Sequence, residues 1–180
     1  MPEEERRPLK DHTTYWNNAG VLGYGAAMFG DSLVERHVNG RIWAAAMDIG
    51  RSMGLTESDR VLDLGCGDGA FTNQVLARNF AAVDGFDLSH SGVERAQAEA
   101  AEAHVRFRCC DITRLDFDML PRYDGAFLIG ILHHVKLATP SLIRTLASAI
   151  DRVVVMEPNG NHIVRKLLEF TPLLSRRRRR

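Results

Sequence analysis

The chain has no net charge, few cysteines and no long apolar run, and each shortage excludes a class of protein. Its 180 residues carry 23 Lys and Arg against 23 Asp and Glu. Five of the basic residues form the terminal run 176–180, so the rest of the chain holds 18 basic against 23 acidic side chains. By bulk charge such a body is not a nucleic-acid-binding surface. The three cysteines, Cys66, Cys109 and Cys110, have no metal-ligand spacing and cannot all pair with one another. They read as reduced, partly buried thiols of a cytoplasmic protein, and no metal is expected. No apolar stretch approaches the ~20 residues that a membrane span needs. Residues 1–7, rich in Glu and Arg, lack the apolar core of a signal peptide. There is no internal repeat. The length suits one domain with a real core and is short for two. A content of 45% hydrophobic and 26% charged residues is that of a globular domain rather than a disordered one.

What is present centres on Val61-Leu62-Asp63-Leu64-Gly65-Cys66-Gly67-Asp68-Gly69. Residues 61–64 read as a buried strand that runs into a glycine-rich turn, and residues 71–79 as the helix behind it. Such a turn brings a ligand to the backbone at the carboxyl end of a strand, facing a helix N-terminus. Charge separates the ligands that use it. A dinucleotide brings a pyrophosphate, which favours backbone N–H groups and no carboxylate nearby. Here Asp63 ends the strand and Asp68 sits inside the turn. The glycines also run G-x-G-x-G rather than G-x-G-x-x-G. Two carboxylates suit a ligand with an ammonium and a sulfonium, as S-adenosylmethionine has. A plain tight turn is the bland alternative.

The rest of the chain repeats strand and helix. Residues 1–10 are charged and are expected to be disordered. Residues 12–30 mix Tyr15, Trp16, Tyr24, Met28 and Phe29 with four glycines. They read either as a lid over a bound ligand or as an arm whose aromatics plug the core. Asp31 or Ser32 is expected to cap a helix whose apolar face is Val34, Val38, Ile42, Ala45, Ala46, Ile49 and Met53, stopped by Gly54. A second strand spans residues 81–87, a helix 91–103, a third strand 105–109 with edge character, and a fourth strand 123–130. Thr139 and Pro140 open a helix as cap and first helical residue, with Leu142, Ile143, Leu146, Ala149 and Ile150 as its inner face. A fifth strand spans 152–156, and a further helix begins at Asn161. Five strands alternating with helices imply an α/β fold, a doubly wound parallel sheet in the order 3-2-1-4-5 with helices on both faces, preceded by a helical N-terminal arm. The expected division is an arm and helix over 1–54, a ligand-binding domain over 55–175 and a basic tail over 176–180.

Several residues then stand where a cofactor would touch the sheet. Asp87 ends the second strand, 22 positions after Gly65. An acid so placed accepts from both hydroxyls of a ribose; otherwise it is a helix cap, a task open to Ser89. Asp111 follows the third strand and suits an adenine amino group, with Ile112 packing on the ring; otherwise it is a loop residue. His133 and His134 lie beyond the fourth strand. One of them suits a general base, since imidazole ionises near neutrality; otherwise one caps the next segment and the other packs. Glu157, after the fifth strand, is a second candidate.

The acidic glycine turn, Asp87, Asp111 and the segment 123–135 together resemble the motifs of the class I S-adenosylmethionine-dependent methyltransferases, over roughly residues 56–158. The resemblance implies that Asp63, Gly65, Cys66, Gly67, Asp87, Leu88, Asp111, Ile112, Ile129 and Gly130 bind the cofactor, with Ile129 and Gly130 offering backbone atoms to its methionyl part. It implies methyl transfer, to which the protein contributes chiefly proximity and alignment. The Asn-Pro-Pro-Tyr type of sequence of nucleic-acid amino-methylating enzymes is absent, as is the double-glutamate loop of protein arginine enzymes. A small-molecule acceptor is therefore expected, with nucleic acid and membrane disfavoured and the arginine tail read as solvated. The family usually continues to two more strands, whereas this sequence stops at Arg180. That departure predicts an exposed fifth-strand edge, self-association that grows with salt, and poor turnover. It also keeps open a non-catalytic cofactor-binding module. An NAD-dependent oxidoreductase is disfavoured by Asp63 and Asp68.

Overall fold

The computed structural model describes residues 33–157 together with Thr14 and Asn17. The expected disordered start, the aromatic stretch apart from Thr14 and Asn17, the Asp31 or Ser32 cap, the helix from Asn161 and the arginine tail lie outside the described residues. In chain order the elements are α1 (Leu33–Ser52), β1 (Arg60–Leu64), α2 (Ala70–Gln74), β2 (Ala82–Asp87), α3 (His90–Glu99), β3 (Val105–Cys109), β4 (Gly125–Ile129), α4 (Thr139–Ala149) and β5 (Val153–Met156). Short 3-10 turns stand at Leu76–Arg78, Ile112–Arg114, Phe117–Met119 and Leu132–His134.

The five strands form one sheet in the order β3-β2-β1-β4-β5, with every neighbouring pair parallel. This is the expected order. Strands β1, β2 and β4 are almost wholly buried, as apolar runs in a parallel sheet covered on both faces must be. Alternate side chains go to opposite faces. Val61, Val83, Phe127 and Val154 point to one core, with Ala46, Met47, Phe71 and Phe80. Leu62, Leu64, Phe86, Ala126 and Leu128 point to the other, with Leu142 and Leu146 of α4 and Ile150 just after it. Phe127 anchors the first core: Phe71 meets it edge-on at 5.7 Å between ring centres, and Phe80 lies at 5.9 Å. Burying such a ring contributes about 1.5–3 kcal/mol. In the second core the Tyr123 hydroxyl donates to Asp84 Oδ2 at 2.8 Å, and Arg60 Nη1 lies 3.6 Å from the same oxygen. Edge strand β3 buries Val105 but exposes Arg106 and Arg108, as its alternation predicts.

Three local expectations are corrected. Among the described side chains of α1, which leave out residues 33–36, the buried face is Ala46, Met47 and Gly50, with Trp43 half-buried beside them. Val38, Ile49 and Met53 of the expected stripe are exposed at 47%, 40% and 39%. The helix turns its thin side inward because Gly50 admits close approach: a Cβ there would sit 3.2 Å from both Leu55 Cδ1 and Phe127 Cζ. Trp43 meanwhile reaches Phe71 at 5.9 Å between ring centres. The helix after the glycine turn is shorter than expected, five α-helical residues followed by a 3-10 turn. At α4 the N-cap is Ala138, and Thr139 is the first helical residue. The Thr139 hydroxyl instead donates to the carbonyls of Leu132 and Val135.

Candidate functional site

The glycine turn folds back on β2 through its own amides. The Gly65 and Cys66 N–H groups both donate to the Phe86 carbonyl, at 2.7 and 3.1 Å, and the Gly69 N–H donates to the Cys66 carbonyl at 2.9 Å. Gly65 and Gly67 have φ of 79° and 59°, a region costly for residues with a Cβ. At Gly65 space is a second constraint, since a Cβ would stand 2.5 Å from Ile131 Cγ1. The turn after β1 therefore touches the tail of β4, which is the crevice where ligands bind open parallel sheets.

Asp87 ties the turn to β2. Its Oδ2 accepts from the Gly67 N–H at 2.9 Å and its Oδ1 from the Ser89 N–H at 2.8 Å. A carboxylate offers about four acceptor directions, and these amides take two of them. The cap of α3 is Ser89, whose hydroxyl accepts from the Gly92 N–H; Asp87 does not do that work. Leu88, between them, is half-buried. The Cys110 N–H donates to the Asp87 carbonyl at 2.8 Å, which brings the end of β3 to the same place.

Asp63 is 2% exposed, and its Oδ2 accepts from the Thr72 hydroxyl at 2.6 Å. Among the described residues nothing donates to its other oxygen. Burial pushes its pKa up to about 7; the Thr72 hydroxyl opposes the rise, and the negative charge of Asp87 adds to it. Thr72 carries no motif, and its only sequence signal is a hydroxyl in the first turn of the helix behind an acidic strand end. Cys66 is buried, and burial pushes its thiol well above the usual range. With both its backbone groups engaged, Cys66 shapes the turn rather than presenting a reactive sulfur.

Asp111 caps its own 3-10 turn. Its Oδ1 accepts from the Thr113 N–H and hydroxyl at 2.9 and 2.7 Å, and its Oδ2 lies 3.4 Å from Arg114 Nε. Ile112 is 5% exposed and belongs to the second core. At the end of β4, Ile129 is half-buried, and the Gly130 N–H donates to the Met156 carbonyl at 2.7 Å. A Cβ at Gly130 would meet nothing within 4 Å, so its open side faces the crevice or solvent.

His133 and Glu157, separate candidates in the sequence, are joined. His133 Nδ1 lies 2.7 Å from Glu157 Oε2, and Glu157 Oε1 accepts from the Leu132 N–H at 2.7 Å. The rings of His133 and His134 are 3.8 Å apart, so these neighbours do not diverge. Asn17 of the N-terminal segment reaches the start of α3: the His90 N–H donates to Asn17 Oδ1 at 2.7 Å, and the Ser91 hydroxyl donates to the Asn17 carbonyl. Among the described residues no group of three His, Cys, Asp or Glu side chains could hold a metal, and no helix is long and apolar enough to cross a membrane.

A doubly wound parallel sheet, with an acidic glycine turn at its switch point and a second acid closing the next strand, defines a Rossmann-like ligand-binding domain. The family is shown by sequence: residues 61–156 match the methyltransferase domain model, and the chain belongs to that family. It is 28% identical over 126 residues to a ubiquinone biosynthesis O-methyltransferase of Alkalilimnicola ehrlichii, covering 69% of this chain and 47% of that protein. The chain thus spans about half the length of this curated relative. Among solved structures, magnesium protoporphyrin IX methyltransferase from Synechocystis PCC 6803, with bound SAH (S-adenosylhomocysteine), superposes with a TM-score of 0.64 at 22% identity over 92% of this chain and 80% of that one. The N-terminal domain of EvdMO1 with SAH bound superposes with a TM-score of 0.53 at 26% identity over 61% of this chain and 46% of that one.

Proposed function

We propose that this chain binds S-adenosylmethionine in the crevice between the β1 turn and the tail of β4, and that it transfers the methyl group to a small-molecule acceptor. The observation that carries this reading is Asp63: a buried carboxylate beside the glycine turn, with one oxygen lacking a donor among the described residues. A buried polar atom of that kind calls for a partner, and a cationic ligand group supplies one. When bound, S-adenosylmethionine supplies a methyl group already activated on a sulfonium.

The chain's own residues fit the remaining parts of that ligand. Asp87 accepts from the ribose hydroxyls while its other acceptor directions hold the Gly67 and Ser89 amides. Asp111 and Ile112 flank the adenine, with Leu88 beside them, and Ile129 and Gly130 offer backbone to the methionyl part. Residues 12–30 supply the covering lid, a role supported by the Asn17 contacts at the start of α3. Family membership supports the same ligand, as does the SAH bound in the EvdMO1 domain. A pyrophosphate would meet the acids Asp63 and Asp68 at the glycine turn, which counts against a dinucleotide.

Calorimetry of the purified chain with S-adenosylhomocysteine, S-adenosylmethionine and NAD tests the reading. The first two are expected to bind and NAD is not. Equal affinity for NAD would overturn it.

A further inference from the structure

The pairing of His133 with Glu157 goes beyond two candidate side chains. Glu157 follows β5 directly, and the parallel register of β4 with β5, Ile129 opposite Met156, carries it beside the tail of β4. Its carboxylate is held at both ends. Oε1 accepts from the Leu132 N–H and Oε2 meets His133 Nδ1, each at 2.7 Å. The Leu132 amide thus pins the carboxylate, and the carboxylate pins the ring. A carboxylate accepts and does not donate, so the nitrogen facing it carries the hydrogen. Nε2 of the neutral ring is then the acceptor. Among the described residues no group pairs with Nε2, and the His133 side chain is 40% exposed. An imidazole held in one tautomer by a carboxylate, with its other nitrogen open, is the arrangement of an oriented general base.

We propose that His133 and Glu157 act as one proton-accepting unit for a methyl acceptor that carries a hydroxyl, with His133 as the base and Glu157 as its positioning residue. This rests on the reading of the site as a methyl-transfer site. The acceptor's O–H bond breaks and its proton goes to His133 Nε2. The oxygen pair so released forms the O–C bond, and the pair of the broken C–S bond stays on sulfur. The imidazolium faces the Glu157 carboxylate until solvent takes the proton. A hydroxyl fits this unit because it is a poor nucleophile until its proton is drawn off, and positioning alone does not remove that proton.

The test has an arm that needs no turnover. In protein with ¹⁵N-labelled histidine, the neutral His133 ring should show a protonated Nδ1 and a bare Nε2, and Glu157→Gln should mix the tautomers or reverse them. A wild-type ring protonated at Nε2 would overturn the proposal. The second arm uses S-adenosylmethionine with catechol and 3,4-dihydroxybenzoate as hydroxyl probes, and thiophenol and aniline as contrasts. Transfer to a hydroxyl probe is expected. Glu157→Gln should lower kcat about 10²-fold or more while KM and the calorimetric affinity for S-adenosylhomocysteine stay as they are. A merely structural clamp would instead leave kcat unchanged or move all three quantities together, and either result refutes the unit. Intact S-adenosylhomocysteine binding with no transfer to either hydroxyl probe would remove the hydroxyl assignment and leave the cofactor reading standing. Loss of that binding in the wild type would remove the cofactor reading itself.

Discussion

Replacing Asp63 with Asn should make the protein more stable and worse at its task. Asp63 is a carboxylate whose pKa burial lifts from 3.8 to about 7, with the Thr72 hydroxyl opposing and the Asp87 charge assisting. The raised value means that the folded chain prefers the protonated form. Its stabilising effect is therefore full below about pH 4 and is lost as pH rises through 7. A rise of roughly 3 units at 1.36 kcal/mol each puts the ceiling of this loss at about 4 kcal/mol. Asparagine keeps a carbonyl for the Thr72 hydroxyl and never ionises. Asp63→Asn should thus melt at about the wild-type temperature near pH 4, about 3–6 °C higher at pH 5 and about 8–16 °C higher at pH 8, at the roughly 2–4 °C per kcal/mol of a domain this size. Comparing the two proteins at each pH isolates the effect of position 63. Binding runs the other way. A ligand ammonium needs the ionised acid, so the affinity of the wild type for S-adenosylhomocysteine should rise about fivefold between pH 6 and 7, about twofold more by pH 8, and flatten above. Asp63→Asn should lose that pH dependence and bind about 1.5–3 kcal/mol more weakly at pH 8, the range for a charge-assisted hydrogen bond. Melting by circular dichroism and calorimetry at pH 5, 6, 7 and 8 measure both effects. An equal difference in melting temperature at pH 5 and pH 8, or a pH-independent wild-type affinity, would refute the reasoning.

Asp87→Ala should weaken S-adenosylhomocysteine binding by roughly 1.5–3 kcal/mol and also lower the melting temperature, because the Gly67 and Ser89 amides lose their acceptor; an unchanged dissociation constant would confine Asp87 to holding the turn. Gly67→Val should abolish binding while the far-ultraviolet spectrum is kept, since a branched residue at φ 59° costs roughly 1–2 kcal/mol and its side chain enters the ligand's path; full binding by this variant would take the turn out of the site. Strand β5 is the edge of the sheet among the described residues, with Val155 39% exposed, so self-association is expected to grow as salt screens the arginine run. Sedimentation at low and high salt checks this, and a monomer at both would show the edge to be covered.

The strands and their order, and with them the switch point of the sheet, were legible in the sequence because each depends on short-range pattern. Apolar runs bounded by glycine and acid make buried parallel strands, and right-handed crossovers leave few orders for five of them. The turn at residues 65–69 was legible for the same reason, as positive φ selects glycine locally. What stayed hidden depends on which elements become neighbours. The apolar stripe of α1 pointed the wrong way because the sheet beneath it takes the small Gly50 and the long Trp43 rather than the greatest number of apolar side chains. Asp63 was legible as an acid, but its partner Thr72 and its raised pKa arise only when helix and strand pack and exclude water. His133 and Glu157 stood as separate candidates 24 residues apart. Only the pairing of β4 with β5 brings the carboxylate to the ring, and no local periodicity encodes a contact between the ends of two strands that the fold lays side by side.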